Sequence, residues 1–266
     1  MSTDRREVFL EEIGVGPLWR RREGAAVVDE TYAEPEILGT EPITAFDPLP
    51  VHVPVTVAAQ SDNFPPKAPP AKEVAHMDWS ELKASVGGCV KCGLCKGRTN
   101  TVFGVGDERA KWLFIGEGPG RNEDLQGEPF IGQAGKLLDN MLLAMGLNRG
   151  ENAYIANIVK CRPTDDNGRD RAPTPGEAAA CIPYLQRQIE LIQPTVLVAL
   201  GKTAALSLLA LDPETPVSKL RGTVHRYAGR PLVVTYHPAY LLRTMLDKKK
   251  AWADLCLAMA TYANTD

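Results

Sequence analysis

The chain has 266 residues, enough for one sizeable α/β domain plus an appendage. Its 44% hydrophobic and 24% charged content is that of an ordinary soluble globular protein. No apolar run approaches the roughly 18 residues of a membrane span, and the N-terminus lacks the apolar core of a signal peptide, so the chain is read as cytoplasmic with no membrane partner.

The net charge of −3 hides an asymmetry. Residues 1–80 hold 7 Lys and Arg against 14 Asp and Glu, while the remainder holds 23 against 19. A mildly basic unit behind an acidic extension suits an anionic partner, although many solvated surfaces carry as much charge. Residues 1–80 also contain 10 of the 21 prolines. Proline removes backbone donors and favours extended chain, so residues 35–75 read as a linker. Ahead of it, Arg6–Ile13 is expected to form a short helix. With Leu18 and Trp19 it makes an apolar cluster that docks on a protein partner or folds back on its own domain. The division is therefore an extension over 1–80 and a single, monomeric domain over 81–266.

Four short apolar runs follow in chain order: Trp112–Ile115, Tyr154–Val159, Val196–Leu200 and Leu232–Tyr236. Between them, Leu137, Leu138, Met141, Leu142 and Met145 show helical spacing, as do Ala180, Tyr184, Leu185, Ile189 and Ile192. Gly201–Leu211 and Lys248–Tyr262 predict two more helices. Continuous apolar strands alternating with helices indicate a buried parallel sheet. Such sheets bind ligands beyond the carboxyl ends of their strands. Those ends read Gly116-Glu-Gly-Pro-Gly120, Asn157-Ile-Val-Lys-Cys-Arg-Pro163 and His237-Pro-Ala-Tyr240, so every unusual polar cluster falls on one rim.

The six cysteines are Cys89, Cys92, Cys95, Cys161, Cys181 and Cys256. In a cytoplasmic chain, clustered cysteines point to metal or catalysis rather than disulfides. Cys89-x-x-Cys92 can chelate one metal from a tight loop, but spacing alone does not separate zinc from an iron–sulfur cluster. Cys161 and Cys181 are widely spaced, and the plainer reading makes them buried free thiols. Gly116–Gly120 is a poor phosphate loop, because Pro119 removes a donor and the Lys-Ser/Thr of a P-loop is absent.

Taken together, Gly116–Gly120, Gly127-Glu-Pro-Phe-Ile-Gly-Gln-Ala-Gly135, Asn157–Pro163, His237-Pro-Ala-Tyr-Leu-Leu-Arg243 and the two cysteine pairs match a known pattern. From about Cys89 to Arg243 the chain resembles the family 4 uracil-DNA glycosylases, the iron–sulfur branch of their superfamily. The resemblance implies a three-layer α/β/α fold with a four-stranded parallel sheet. It implies a [4Fe–4S] cluster on Cys89, Cys92, Cys161 and Cys181, with Cys95 and Cys256 spare. It implies uracil-containing DNA as substrate and hydrolysis of the N-glycosidic bond after the base is flipped out.

The roles follow residue by residue. His237 donates a hydrogen bond to the uracil carbonyl where charge develops, and Asn157 reads the uracil edge with its amide. Phe130 stacks on the base, and Gly116 and Gly118 belong to the motif loop around it. Glu117 lies near the sugar, orienting water or stabilising the cation, and Glu123 crowds C5 to reject thymine. Tyr240, Leu241, Leu242 and Arg243 enter the minor groove, as apolar wedges beside a basic residue do; the plainer reading turns the leucines to the core. Two departures stand out. Ala239 occupies a position where serine is frequent. The segment 164–176 looks long and contains no histidine, whereas a related branch crosslinks to DNA through a histidine there, so turnover is expected. The competing readings are a non-catalytic DNA-binding module on the same fold and a zinc-stabilised hydrolase of free nucleosides.

Overall fold

The computed structural model describes residues 73–265; the expectations for the extension up to residue 72 lie outside them. Residues 73–80 are part of the folded unit, which therefore starts ahead of the expected boundary at 81. Met77 is buried, its carbonyl accepts from Arg187 Nε at 2.7 Å, and Trp79 stands edge-on to Phe103 and Tyr154.

One sheet contains β1 (Val105–Gly106), β2 (Trp112–Gly116), β3 (Ala153–Asn157), β4 (Val196–Leu200), β5 (Val224–Tyr227) and β6 (Arg230–Thr235), in the order β1-β3-β2-β4-β6-β5. Strands β3, β2, β4 and β6 are parallel, and β1 and β5 pair antiparallel at the two edges. The expected four-stranded parallel sheet is thus the centre of a six-stranded mixed sheet. The edge strands have no apolar run to announce them. β1 is two residues long, and Val-His-Arg-Tyr of β5 alternates between exposed and half-buried.

The helices are α1 (Trp79–Gly87), α2 (Arg121–Gln126), α3 (Gln133–Ala144), α4 (Pro175–Ile192), α5 (Lys202–Leu209), α6 (Val217–Leu220), α7 (Pro238–Arg243) and α8 (Lys248–Ala263). Local chemistry sets the start of the two that frame the cysteines. Asp78 with Glu81 and Thr174 with Glu177 form capping boxes, and Pro175 occupies the first turn of α4, where its missing N–H costs nothing.

Every residue of β2, β3 and β4 is buried, because helices cover both faces of the sheet. Successive side chains alternate between two cores. Leu113, Ile115, Ala156, Leu197 and Val234 pack with α1, α4 and α5; Trp112, Phe114, Ile155, Val198 and Val233 pack with α3 and α8. This is the expected three-layer arrangement. Because the central strands are parallel, Gly116, Asn157, Leu200 and Thr235 end on one rim.

Candidate active site

A cleft of about 620 Å³ opens at this rim, within the range of small-molecule sites. The loop after β2 contributes Glu117 and Gly118, α2 contributes Glu123, and the turn before α3 contributes Phe130. Asn157 comes from the end of β3, and His237, Tyr240 and Arg243 come from the end of β6 and from α7. The segment after Pro163 adds Asp170 and Arg171.

His237 is the N-cap of α7, and its Nδ1 accepts from the backbone N–H of Ala239 at 3.1 Å. An accepting Nδ1 leaves the proton of the neutral ring on Nε2. Crowding by protein lowers the pKa of His237 to about 4, with the positive charge of Arg243 adding to the effect. The ring is therefore neutral at pH 7. It stacks on Phe130 with centroids 5.5 Å apart and 29° between planes. Gly201, at φ +96°, lies against it, and a Cβ there would come within 2.9 Å of His237 Cβ.

Phe130 is held at φ 55°, in the left-handed region that a non-glycine residue rarely occupies. Arg149 secures that turn. Its Nη2 donates to the Phe130 carbonyl at 2.7 Å, its Nη1 to the Pro129 carbonyl at 3.0 Å, and its Nε pairs with Asp139 at 2.8 Å. Gly135 leaves the space that the Phe130 carbonyl occupies. Gly116 does not line the cleft but stands behind it. A Cβ there would overlap Asn157 Oδ1 and come within 2.6 Å of the Phe130 ring. Asn157 is 2% exposed, and its Oδ1 is a buried acceptor with no partner among the described residues, which is costly unless a ligand supplies a donor.

Glu123 accepts from the backbone N–H groups of Ile131 and Gly132 at 3.2 and 3.3 Å, which fixes its carboxylate at the start of α3. Glu117 is half-buried; burial raises its pKa, and a hydrogen bond from Thr203 opposes the rise. Across the mouth, Arg162 pairs with Asp170 at 2.5 Å and Arg171 grips Glu177 through both carboxylate oxygens at 2.7 and 2.8 Å, which pins the long segment to α4.

Cys89, Cys92, Cys161 and Cys181 line a second pocket on the α1–α4 side, and Cys95 lines it with them. None is in a disulfide. Burial raises the thiol pKa of Cys161 and pushes that of Cys181 up to about 11. Two donors oppose this: Arg98 Nη1 reaches Cys161 Sγ at 3.2 Å, and the N–H of Lys160 reaches Cys181 Sγ at 3.3 Å. Among the described residues no trio of His, Cys, Asp or Glu converges as it would round a single ion; the thiols ring a cavity instead. Cys256 is exposed on α8.

The family model for the uracil DNA glycosylase superfamily matches residues 103–256, the stretch that builds the whole cleft. This chain belongs to that superfamily. A type-4 uracil-DNA glycosylase of Archaeoglobus fulgidus is 50% identical over 160 residues, covering 58% of this chain and 78% of the relative. One of Thermotoga maritima is 46% identical over 156 residues with the same coverages. One of Sulfurisphaera tokodaii is 43% identical over 169 residues, covering 61% and 74%. These identities place the chain in the type-4 branch of the glycosylase superfamily.

One expected role fails on geometry. Leu241 is 2% exposed and packs with Tyr236 and Ala251, so it is not available to enter DNA. Its helical neighbour Leu242 is 42% exposed, and Met245 and Leu246 just beyond are 60% and 85% exposed. Tyr240 lines the cleft, but its hydroxyl is spent on Asp247 Oδ2 at 2.6 Å. Arg149 and Thr203 escaped the sequence reading, Gly201 entered it only as the start of a helix, and Lys160 only as a letter of a motif. The three glycosylase-loop glycines at 127, 132 and 135 were visible as a motif, but nothing local ties Arg149 or Thr203 to residues so distant in the chain.

Proposed function

We propose that this chain is a DNA-repair glycosylase that takes uracil out of the stack and hydrolyses its bond to deoxyribose, leaving an abasic site. The observation that carries the reading is His237. Its Nδ1 is tied to Ala239, and its protonated Nε2 is left for a cleft that also holds Asn157 and Glu117. As the bond from N1 to C1′ breaks, negative charge builds on the uracil carbonyl, and a preorganised neutral donor stabilises it. Asn157, whose buried Oδ1 lacks a partner among the described residues, accepts from uracil N3–H while its NH2 donates to O4. Phe130 stacks on the base. Glu123, fixed by two N–H groups, crowds C5 against a thymine methyl. Glu117 offers its carboxylate to the cationic sugar and to the attacking water. Gly118 lies against Val159 and Pro163, and a Cβ there would come within 2.7 Å of a Val159 methyl, so the loop packs on the chain after β3 without room for a side chain at this position.

Cys89, Cys92, Cys161 and Cys181 would hold a [4Fe–4S] cluster. The all-sulfur donor set and the N–H donors from Arg98 and Lys160 suit cluster sulfurs. Bound there, the cluster would serve as a covalent brace between α1, the end of β3 and α4, with no part in hydrolysis. The wedge that fills the gap left by the base is assigned to the exposed Leu242, Met245 and Leu246, beside Arg243.

The test is release of uracil from a labelled oligonucleotide. Free uracil and an alkali-labile strand support the enzyme. Tight binding without release would favour a non-catalytic DNA-binding module.

A further inference from the structure

Lys160 is the single lysine among the buried residues described, at 1% exposure, and the chemistry above makes no use of its side chain. Burying an ammonium is costly, and an apolar side chain of that length would fill the space more cheaply. What the charge does is read from its partners. Nζ donates to Gln188 Oε1 at 2.6 Å and to the Asn157 carbonyl at 3.0 Å. Gln188 is itself fully buried and held in place, with its Nε2 donating to the Phe103 carbonyl at 3.0 Å. The ammonium is thus a clamp between α4 and the last peptide of β3.

That peptide matters because packing alone, without a hydrogen bond to Oδ1, holds the buried Asn157 side chain. That Oδ1 has no hydrogen-bond partner among the described residues. Beyond it the chain leaves the strand but keeps company with the β2 exit loop, through Ile158 N–H to the Gly116 carbonyl at 2.9 Å and Val159 N–H to the Glu117 carbonyl at 3.2 Å. To these the Asn157 carbonyl adds a hold from the α4 side of the sheet, through Lys160 Nζ. The backbone of Lys160 is anchored as well. Its N–H donates to Cys181 Sγ at 3.3 Å and its carbonyl accepts from Val102 N–H at 2.7 Å. One residue therefore joins the cysteine pocket to the strand end that faces the cleft.

We propose that Lys160 is a positioning residue for uracil recognition: from inside the protein it clamps the Asn157 peptide and so sets the orientation of the Asn157 amide in the cleft. The proposal rests on the reading of Asn157 as the residue that reads uracil. A lysine that only filled the core would affect stability and every ligand alike. A lysine that aims Asn157 affects DNA carrying the base and spares DNA without it.

The experiment uses the full chain with its iron content and melting temperature measured. Lys160→Met is compared with the parent for affinity to two oligonucleotides, one with an uncleavable 2′-fluoro-deoxyuridine and one with a tetrahydrofuran abasic-site analogue. The expected result is a loss of about tenfold for the uracil analogue, the equivalent of one or two hydrogen bonds, with the abasic analogue unchanged. Gln188→Met removes one of the two clamp partners and is expected to shift the same ratio in the same direction by less; it decides the matter if Lys160→Met does not fold. Equal losses on both oligonucleotides, or no loss on either, would overturn the proposal. Asn157→Ala is the control. If it abolishes the preference for the uracil analogue while the Lys160 and Gln188 variants keep it, the clamp alone is wrong. If Asn157→Ala keeps the preference, Asn157 is not the reader and the clamp falls with it.

Discussion

The backbone N–H of Ala239 donates to Nδ1 of His237 at 3.1 Å, and this bond decides which ring nitrogen carries the proton toward the cleft. Because His237 is the N-cap of α7, the donor is one of the helix's own first-turn N–H groups and costs the fold nothing. A hydrogen bond from Nε2 that strengthens as uracil departs stabilises the transition state more than bound substrate. His237→Ala should therefore slow single-turnover cleavage on the order of a hundredfold or more. Affinity for an uncleavable uracil analogue should change much less, and iron content should not change. Equal losses in rate and binding would make His237 a binding residue only.

The same ring gives a pH signature in stability. The folded protein holds its pKa at about 4, against the usual 6.5. A group whose pKa is lowered on folding contributes its stability in full above the unfolded value. That contribution is lost as pH falls from about 6.5 to about 4. Replacing His237 with Gln removes the group that must stay unprotonated. Urea midpoints of the parent should drop more steeply than those of His237→Gln across this window and run parallel above pH 7. Parallel curves throughout would mean that the ring is not kept neutral by the fold.

Glu117 should set the acid limb of the rate. Burial raises its pKa above the ordinary carboxylate value, and the Thr203 hydrogen bond restrains the rise. If the carboxylate is the working form, kcat falls as pH drops through that raised value. Thr203→Val removes the restraint, so the limb should move to higher pH while the plateau rate holds. A limb that stays in place would assign it to another group.

How much of this was readable beforehand depends on how local the cause is. Trp112–Gly116 and Val196–Leu200 announce themselves as continuous apolar runs because helices cover both faces of the sheet. The edge strand Val224–Tyr227 has one open side and no such run. The rim residues Glu117, Asn157 and His237 follow from strand ends, since parallel strands bring them together whatever the intervening sequence. Phe130 and Arg149 meet only through a turn at φ 55°, and no pattern in either segment signals it. Leu241 and Leu242 look equivalent as letters. Only the rotation of α7 shows that one faces the core.

The cysteines give a prediction with an internal contrast. Cys161→Ala and Cys181→Ala should each lose iron and the broad visible absorbance, and should lower the melting temperature, because both thiols are buried and face the shared pocket. Cys256→Ala, on the exposed face of α8, should change neither. Cys95 lines the same pocket, so Cys95→Ala is the discriminating variant. Full iron content there supports ligation by the other four, and iron loss would exchange Cys95 for one of them.

The leucines after His237 separate folding from DNA handling. Leu241 is 2% exposed among Tyr236 and Ala251, whereas Leu246 is 85% exposed a few residues on. Truncating a buried leucine leaves a cavity, so Leu241→Ala should cost about 3 kcal/mol of stability. It should depress activity only as far as the fold loosens. Leu246→Ala removes exposed surface and should leave the melting temperature within a degree or so, since surface changes of this kind fall within about 0.5 kcal/mol. If Leu246 fills the gap left by a flipped base, its loss penalises the extruded state, which must pay for unstacking without a replacement. Cleavage in duplex DNA should then fall by about tenfold or more, while cleavage in single strands, where no stack has to be refilled, stays near the parent rate. A 2-aminopurine placed beside the uracil reports the unstacking directly. Equal effects on duplex and single strand would remove Leu246 from the wedge and leave Leu242 and Met245 as the exposed apolar side chains to try next.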